Sequence, residues 1–72
     1  MNTFQLIYDA DTDRYLLDNE PLHCGDCIQV LVFNGLTGET EWIKTRLEMN
    51  GENEWYLVGL LGYQIAGLFA RR

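Results

Sequence analysis

The chain has 72 residues, 47% of them apolar, which bounds it to one domain with a small core and excludes a disordered chain. Eleven carboxylates against five Lys and Arg give a formal charge of −6. That balance repels phosphate backbones and argues against direct nucleic-acid binding.

Met1 to Ala10 has neither a basic leader nor an apolar run, so no export signal is expected there. Phe4 to Tyr8 alternates, with Phe4, Leu6 and Tyr8 on one face, which is a strand pattern. Asp9 to Asp13 is a polar loop, and Arg14 to Leu17 resumes a short strand. Pro21 breaks it, because proline lacks a donor and fixes its own φ. The turn at Gly25 and Asp26 then feeds Cys27 to Phe33, the run around which the chain is organised. It is apolar at both parities: Ile28, Val30 and Val32 on one side, Leu31 and Phe33 on the other. This reads as a central strand buried on both faces. Asn34 to Gly38 is turn chemistry.

Glu41 to Met49 and Glu54 to Leu60 form the clearest hairpin, turned at Asn50 and Gly51. That turn opposes Leu47 to Tyr56, or to Glu54 if it is tighter. Either register puts Ile43, Leu47, Tyr56, Val58 and Leu60 on the core face. The other face carries Trp42, Lys44, Arg46, Glu48, Trp55 and Leu57. A turn over Leu61 to Gln64 leads to a last strand, Ile65 to Ala70, kinked at Gly67. The most apolar stretch, Leu57 to Ala70, is interrupted by Gly59, Gly62, Gln64 and Gly67, and falls short of the ~18 residues of a spanning helix. Five or six short, closely spaced strands predict an all-β fold, a small SH3-like barrel whose closure would remove the sheet edges. The expected domain spans residues 1–72.

Two resemblances follow from these stretches. Gly25-Asp26-x-Ile28-x-Val30, then Trp42, with Ile7-Tyr8-Asp9 earlier, resembles SH3-like barrels. The Pro-x-x-Tyr element of proline-rich peptide binding is absent, with only Tyr63 in that region, so the resemblance implies the architecture without that ligand. A second pattern covers nearly the whole chain: Arg14-Tyr15-x-Leu17, Leu22 to Asp26, Trp42, Thr45 to Glu48, Trp55 to Leu60, and Gly67-Leu68. It is similar to the bacterial domain-of-unknown-function family 5348. That resemblance implies a small stand-alone bacterial intracellular protein and assigns no catalytic residue.

Three constellations carry the functional reading. Cys24 and Cys27 form a C-x-x-C beside His23, three weak candidate metal ligands. A structural zinc site needs four ligands, and a redox pair wants a helix N-terminus rather than the start of a strand. The plainer reading is two small, partly buried thiols flanking a turn, with His23 at the surface, in a reducing cytoplasm. Asp9, Asp11, Asp13 and Glu20 match calcium-loop spacing, but Arg14 stands where glycine is required. The plainer reading there is an acidic surface loop. Trp42, Arg46, Trp55 and Leu57 are residue types that make binding hot spots, and they form the expected partner site. Cation–π packing is the alternative for them.

No catalytic motif is present, so an enzyme and a cofactor are not expected. The expected function is a cytoplasmic binding or adaptor module for a protein partner, without membrane association, monomeric or weakly dimeric. The alternatives are an accessory protein of nucleic-acid transactions, mobile-element or phage related, and a metal or redox protein using the C-x-x-C.

Overall fold

The alternating apolar stretches become eight short strands in a computed structural model that describes residues 2–60 and 62–72. They are β1 (Phe4–Gln5), β2 (Ile7–Asp9), β3 (Arg14–Leu17), β4 (Glu20–Pro21), β5 (Cys27–Asn34), β6 (Glu39–Met49), β7 (Trp55–Leu57) and β8 (Phe69–Arg71). All pairing is antiparallel. One sheet has the order β1-β8-β5-β6-β7, the other β2-β3-β4. The larger sheet ends at β1 and β7 rather than closing on itself, so the expected closed barrel gives way to two open sheets.

The first predicted strand is split at Leu6. Its amide donates to the Leu68 carbonyl at 2.8 Å, and its carbonyl accepts from the Gly67 amide at 2.7 Å. At that residue the chain leaves the five-stranded sheet and enters the three-stranded one. Leu6 is therefore buried, while Ile7 and Tyr8 are exposed.

β5 and β6 form the longest ribbon, paired from Cys27 with Arg46 to Asn34 with Glu39. Its start is pinned at the predicted turn. Gly25 has a φ of 92°, a conformation that side chains disfavour. The turn's backbone then bonds β6: the Gly25 amide donates to the Leu47 carbonyl, and the Leu47 amide donates to the Asp26 carbonyl. The Asp26 carboxylate accepts from the His23 amide at 2.8 Å, closing the turn from within.

The β6–β7 register corrects the expected one. Leu47 pairs with Leu57, Glu48 with Tyr56, and Met49 with Trp55. The cause is the loop. Asn50 accepts from the Glu52 and Glu54 amides through its side chain, and its own amide donates to the Glu54 carbonyl. The left-handed residue is Asn53, with φ 61°, rather than Gly51. This wider loop shifts β7 by one residue and exchanges its faces. Leu57 is core, and Tyr56 stands on the other side beside Glu48. β7 is also shorter than predicted, because a turn with Gly59 at φ 79° follows it. β8 is shorter too, since Leu68 donates back to Ile65 around Gly67. Of the turn expected over Leu61 to Gln64, Leu61 lies outside the described residues.

One core cluster fills the space between the sheets. It comprises Leu6, Leu17, Leu22, Ile28, Val30, Val32, Leu47, Leu57, Ile65 and Ala70. Thr45 joins it, its hydroxyl satisfied by donation to the Val58 carbonyl at 2.7 Å. The shortest dimension of the molecule is 18 Å, which holds two layers at the usual ~10 Å spacing and no third. The second face of β5 is therefore uncovered. Leu31 is half-buried and Phe33 is 64% exposed, where the sequence predicted burial on both sides.

Candidate functional site

Strand alternation and register define the open face of the larger sheet. Gln5 pairs with Phe69, and Leu31 with Trp42. The β5–β8 register, Gln29 with Arg71 and Val30 with Ala70, puts Phe69 beside Leu31 one step on. Phe69, Leu31 and Trp42 thus form a cross-strand row, with Phe33 diagonally adjacent on β5. Phe69 and Phe33 are strongly exposed. Arg71 reaches across the face. Its guanidinium carbon lies 3.9 Å from the Trp42 ring centroid, and its Nε donates to Gln29 Oε1 at 3.0 Å.

Below this row is a cleft of about 350 Å³ lined by Cys27, Ile28, Gln29, Lys44, Thr45, Arg46, Val58 and Arg72. Three of the chain's five Lys and Arg side chains border it, and no Asp or Glu side chain does. Arg46 Nε pairs with Glu48 Oε2 at 3.4 Å, and Glu48 Oε1 accepts from the Cys24 thiol at 3.1 Å. The Cys24 hydrogen bond, then Arg46, holds the Glu48 carboxyl below its ordinary pKa. A second cleft, about 370 Å³, has Asp18 and Glu20 facing Arg71 and Arg72, so its charge is compensated from within.

The expected partner site divides between the two sides of the sheet. Trp42 and Arg46 lie on the open face. Leu57 is 1% exposed in the core, which corrects its assignment to the outer face. Trp55 packs against that core, donates from Nε1 to the Asp13 carbonyl at 3.0 Å, and has Arg14 at 5.8 Å from its ring. Both departures follow from the Asn50–Glu54 loop. Leu31, Phe33, Phe69, Lys44 and Arg72 were not among the predicted site residues. For Leu31 and Phe33 the signal was the double-parity apolar run of β5, of which a two-layer fold covers one face.

His23 is exposed as expected, and both cysteines are free and exposed rather than partly buried, because the turn that carries them lies at the surface. In the acidic loop, Asp9 accepts from the Asp11 amide and the Thr12 hydroxyl, and Asp13 accepts from the Tyr8 hydroxyl. That last bond, followed by desolvation, raises the Tyr8 pKa. Glu20 sits at the far end of β3, where it meets Arg72 at 4.0 Å. Among the described residues no three His, Cys, Asp or Glu side chains converge as a metal site. Among them, too, no helix is long and apolar enough to cross a membrane.

The fold is thus a small all-β one with an uncovered sheet face. The chain belongs to the family described as Domain of unknown function (DUF5348), which matches residues 4–71. It is also similar to a protein from Ruminococcus gnavus known from a crystal structure, with 36% identity and a TM-score of 0.74. That likeness covers 99% of this chain and 100% of the other. No curated protein matches the chain.

Proposed function

We propose that the protein is a non-catalytic binding module of the bacterial cytoplasm that docks a protein partner on the open face of its five-stranded sheet. The observation that carries this reading is the Phe69, Leu31 and Trp42 row with Phe33 beside it. Aromatic and aliphatic side chains in contiguous, uncovered array are what a partner buries, whereas singly scattered apolar residues need no explanation. Arg71 holds Trp42 in a fixed orientation, which lowers the ordering cost of binding. Two exposed free thiols suit a reducing compartment. A protein is favoured over nucleic acid because the chain carries a net −6 charge and three of its five cations gather at one cleft rather than in a continuous stripe.

The test is site-specific photocrosslinking in cells of the native organism, with the crosslinker at Phe33, at Phe69, or at the exposed Ile7 of the smaller sheet. A discrete protein adduct from Phe33 and Phe69 but not from Ile7 is expected. Equal adducts from all three, or none from the first two, would remove this face as the docking site.

A further inference from the structure

We infer that the cleft between Lys44, Arg46 and Arg72 is an anion subsite that takes a run of carboxylates from an acidic peptide segment. The assignment deepens the docking proposed for the same face and rests on that reading for its biological partner. In a chain with eleven acidic side chains, none lines this cleft. Its polar rim supplies donors. Lys44 is exposed and makes no ion pair among the described residues. Gln29 accepts from Arg71 through Oε1, which leaves its amide NH2 to donate. Arg46 engages Glu48 through Nε only, leaving the two terminal nitrogens of its fork. Arg72 reaches Glu20 at the 4.0 Å limit of an ion pair. Neither Glu48 nor Glu20 lines the cleft, so Lys44 and the remaining donors of Gln29 and Arg46 are the groups left to meet an incoming anion.

The size of the cleft selects among anions. A volume of about 350 Å³ is in the range that holds a small organic ligand or several side-chain groups, well beyond one oxyanion. Its cations come from β6 and from the chain just after β8, so no single oxyanion needs to meet all of them. Several carboxylates in series can meet each cation separately. The apolar row lies directly above on the same face. A partner segment that alternates acidic with aromatic or aliphatic residues would therefore match both halves.

The experiment is a titration of the isotopically labelled full chain, followed by amide NMR, with a capped hexaglutamate peptide. Capped hexaglutamine and inorganic phosphate are run in parallel. Saturable shifts confined to Gln29, Lys44, Thr45 and Arg46 are expected with hexaglutamate alone. Lys44→Gln should weaken this binding roughly fivefold, the size of one exposed charge pair. Arg46→Gln should do the same, with melts showing that each variant folds. No saturable shift, shifts indifferent to both substitutions, or equal binding of hexaglutamine would overturn the assignment. Phosphate binding as tight as hexaglutamate would also overturn it, since the site would then be one for a lone oxyanion. Crosslinking from Phe33 reports on the docking face without this peptide, so either reading can fail alone.

Discussion

Arg71 lies over Trp42, with the guanidinium carbon 3.9 Å from the ring centroid and Nε donating to Gln29. One side chain thus ties β8 to both strands of the central ribbon. It also explains why Trp42 is half-buried although it lies on the open face. A cation on an indole face contributes roughly 0.5–1 kcal/mol at an exposed site. Arg71→Ala is expected to cost about 1 kcal/mol in urea melts. It should also make the Trp42 indole more accessible to acrylamide quenching, measured in a Trp55→Phe background. Unchanged quenching would mean that the stack does not persist in solution.

The face exchange in β7 gives the sharpest stability test. Leu57 is fully buried against Leu47, whereas Tyr56 is half-buried beside Glu48. Leu57→Ala should cost roughly 3 kcal/mol, as a core truncation does. Tyr56→Ala should cost about 1 kcal/mol, as expected for a partly exposed site. Trp55→Ala should resemble the core variant, since it loses both packing and the bond to Asp13. The sequence-derived register requires the reverse order for Tyr56 and Trp55, so three denaturant melts decide between them.

This contrast marks how far the sequence could be read. β5 was legible as a short apolar run between turn residues, and β6 by its alternation. The β6–β7 register was not, because a left-handed Asn53 in place of Gly51 looks unremarkable in sequence. The break at Leu6 was invisible for a different reason. Its partners are Gly67 and Leu68, and local alternation carries no trace of them. Within the candidate site, Trp42 and Arg46 were recognisable as residue types. The row they belong to was not, since Leu31 and Phe33 were assigned to a second buried face. Only the thinness of a two-layer molecule reveals that face as surface.

Glu48 predicts a pH dependence. Hydrogen bonds from Cys24 and then Arg46 hold its carboxyl below the ordinary value of 4.5. The folded protein therefore binds this proton less readily than the unfolded chain does. The resulting stabilisation is fully present above the ordinary value and is lost as pH falls through the depressed one. The stability gap between wild type and Glu48→Gln should be constant near neutrality and narrow below pH 4.5. It should close once the folded-state carboxyl is protonated. Urea melts across the acid range measure it, and a gap unchanged through that range would rule out the assigned bonds.

The acidic loop gives the last prediction. Calcium-type spacing brings Asp9, Asp11, Asp13 and Glu20 together only if the chain between them wraps around the ion. Here Arg14 to Leu17 is instead an extended strand that carries Glu20 to its opposite end. Asp9 is committed to the Asp11 amide and the Thr12 hydroxyl, and Asp13 to the Tyr8 hydroxyl. The loop is thereby ordered by its own hydrogen bonds and by the Trp55 indole on the Asp13 carbonyl. Removing divalent cations should leave the Tm unchanged, because an ion that held the loop would contribute directly to folding. Asp13→Asn should lower the Tm slightly, and by the same amount with or without calcium, through the weakened bond from Tyr8. Calorimetric scans with a chelator and with added calcium test both statements. A Tm that falls by several degrees with chelator in wild type, but not in Asp13→Asn, would show that the carboxylate serves an ion rather than Tyr8.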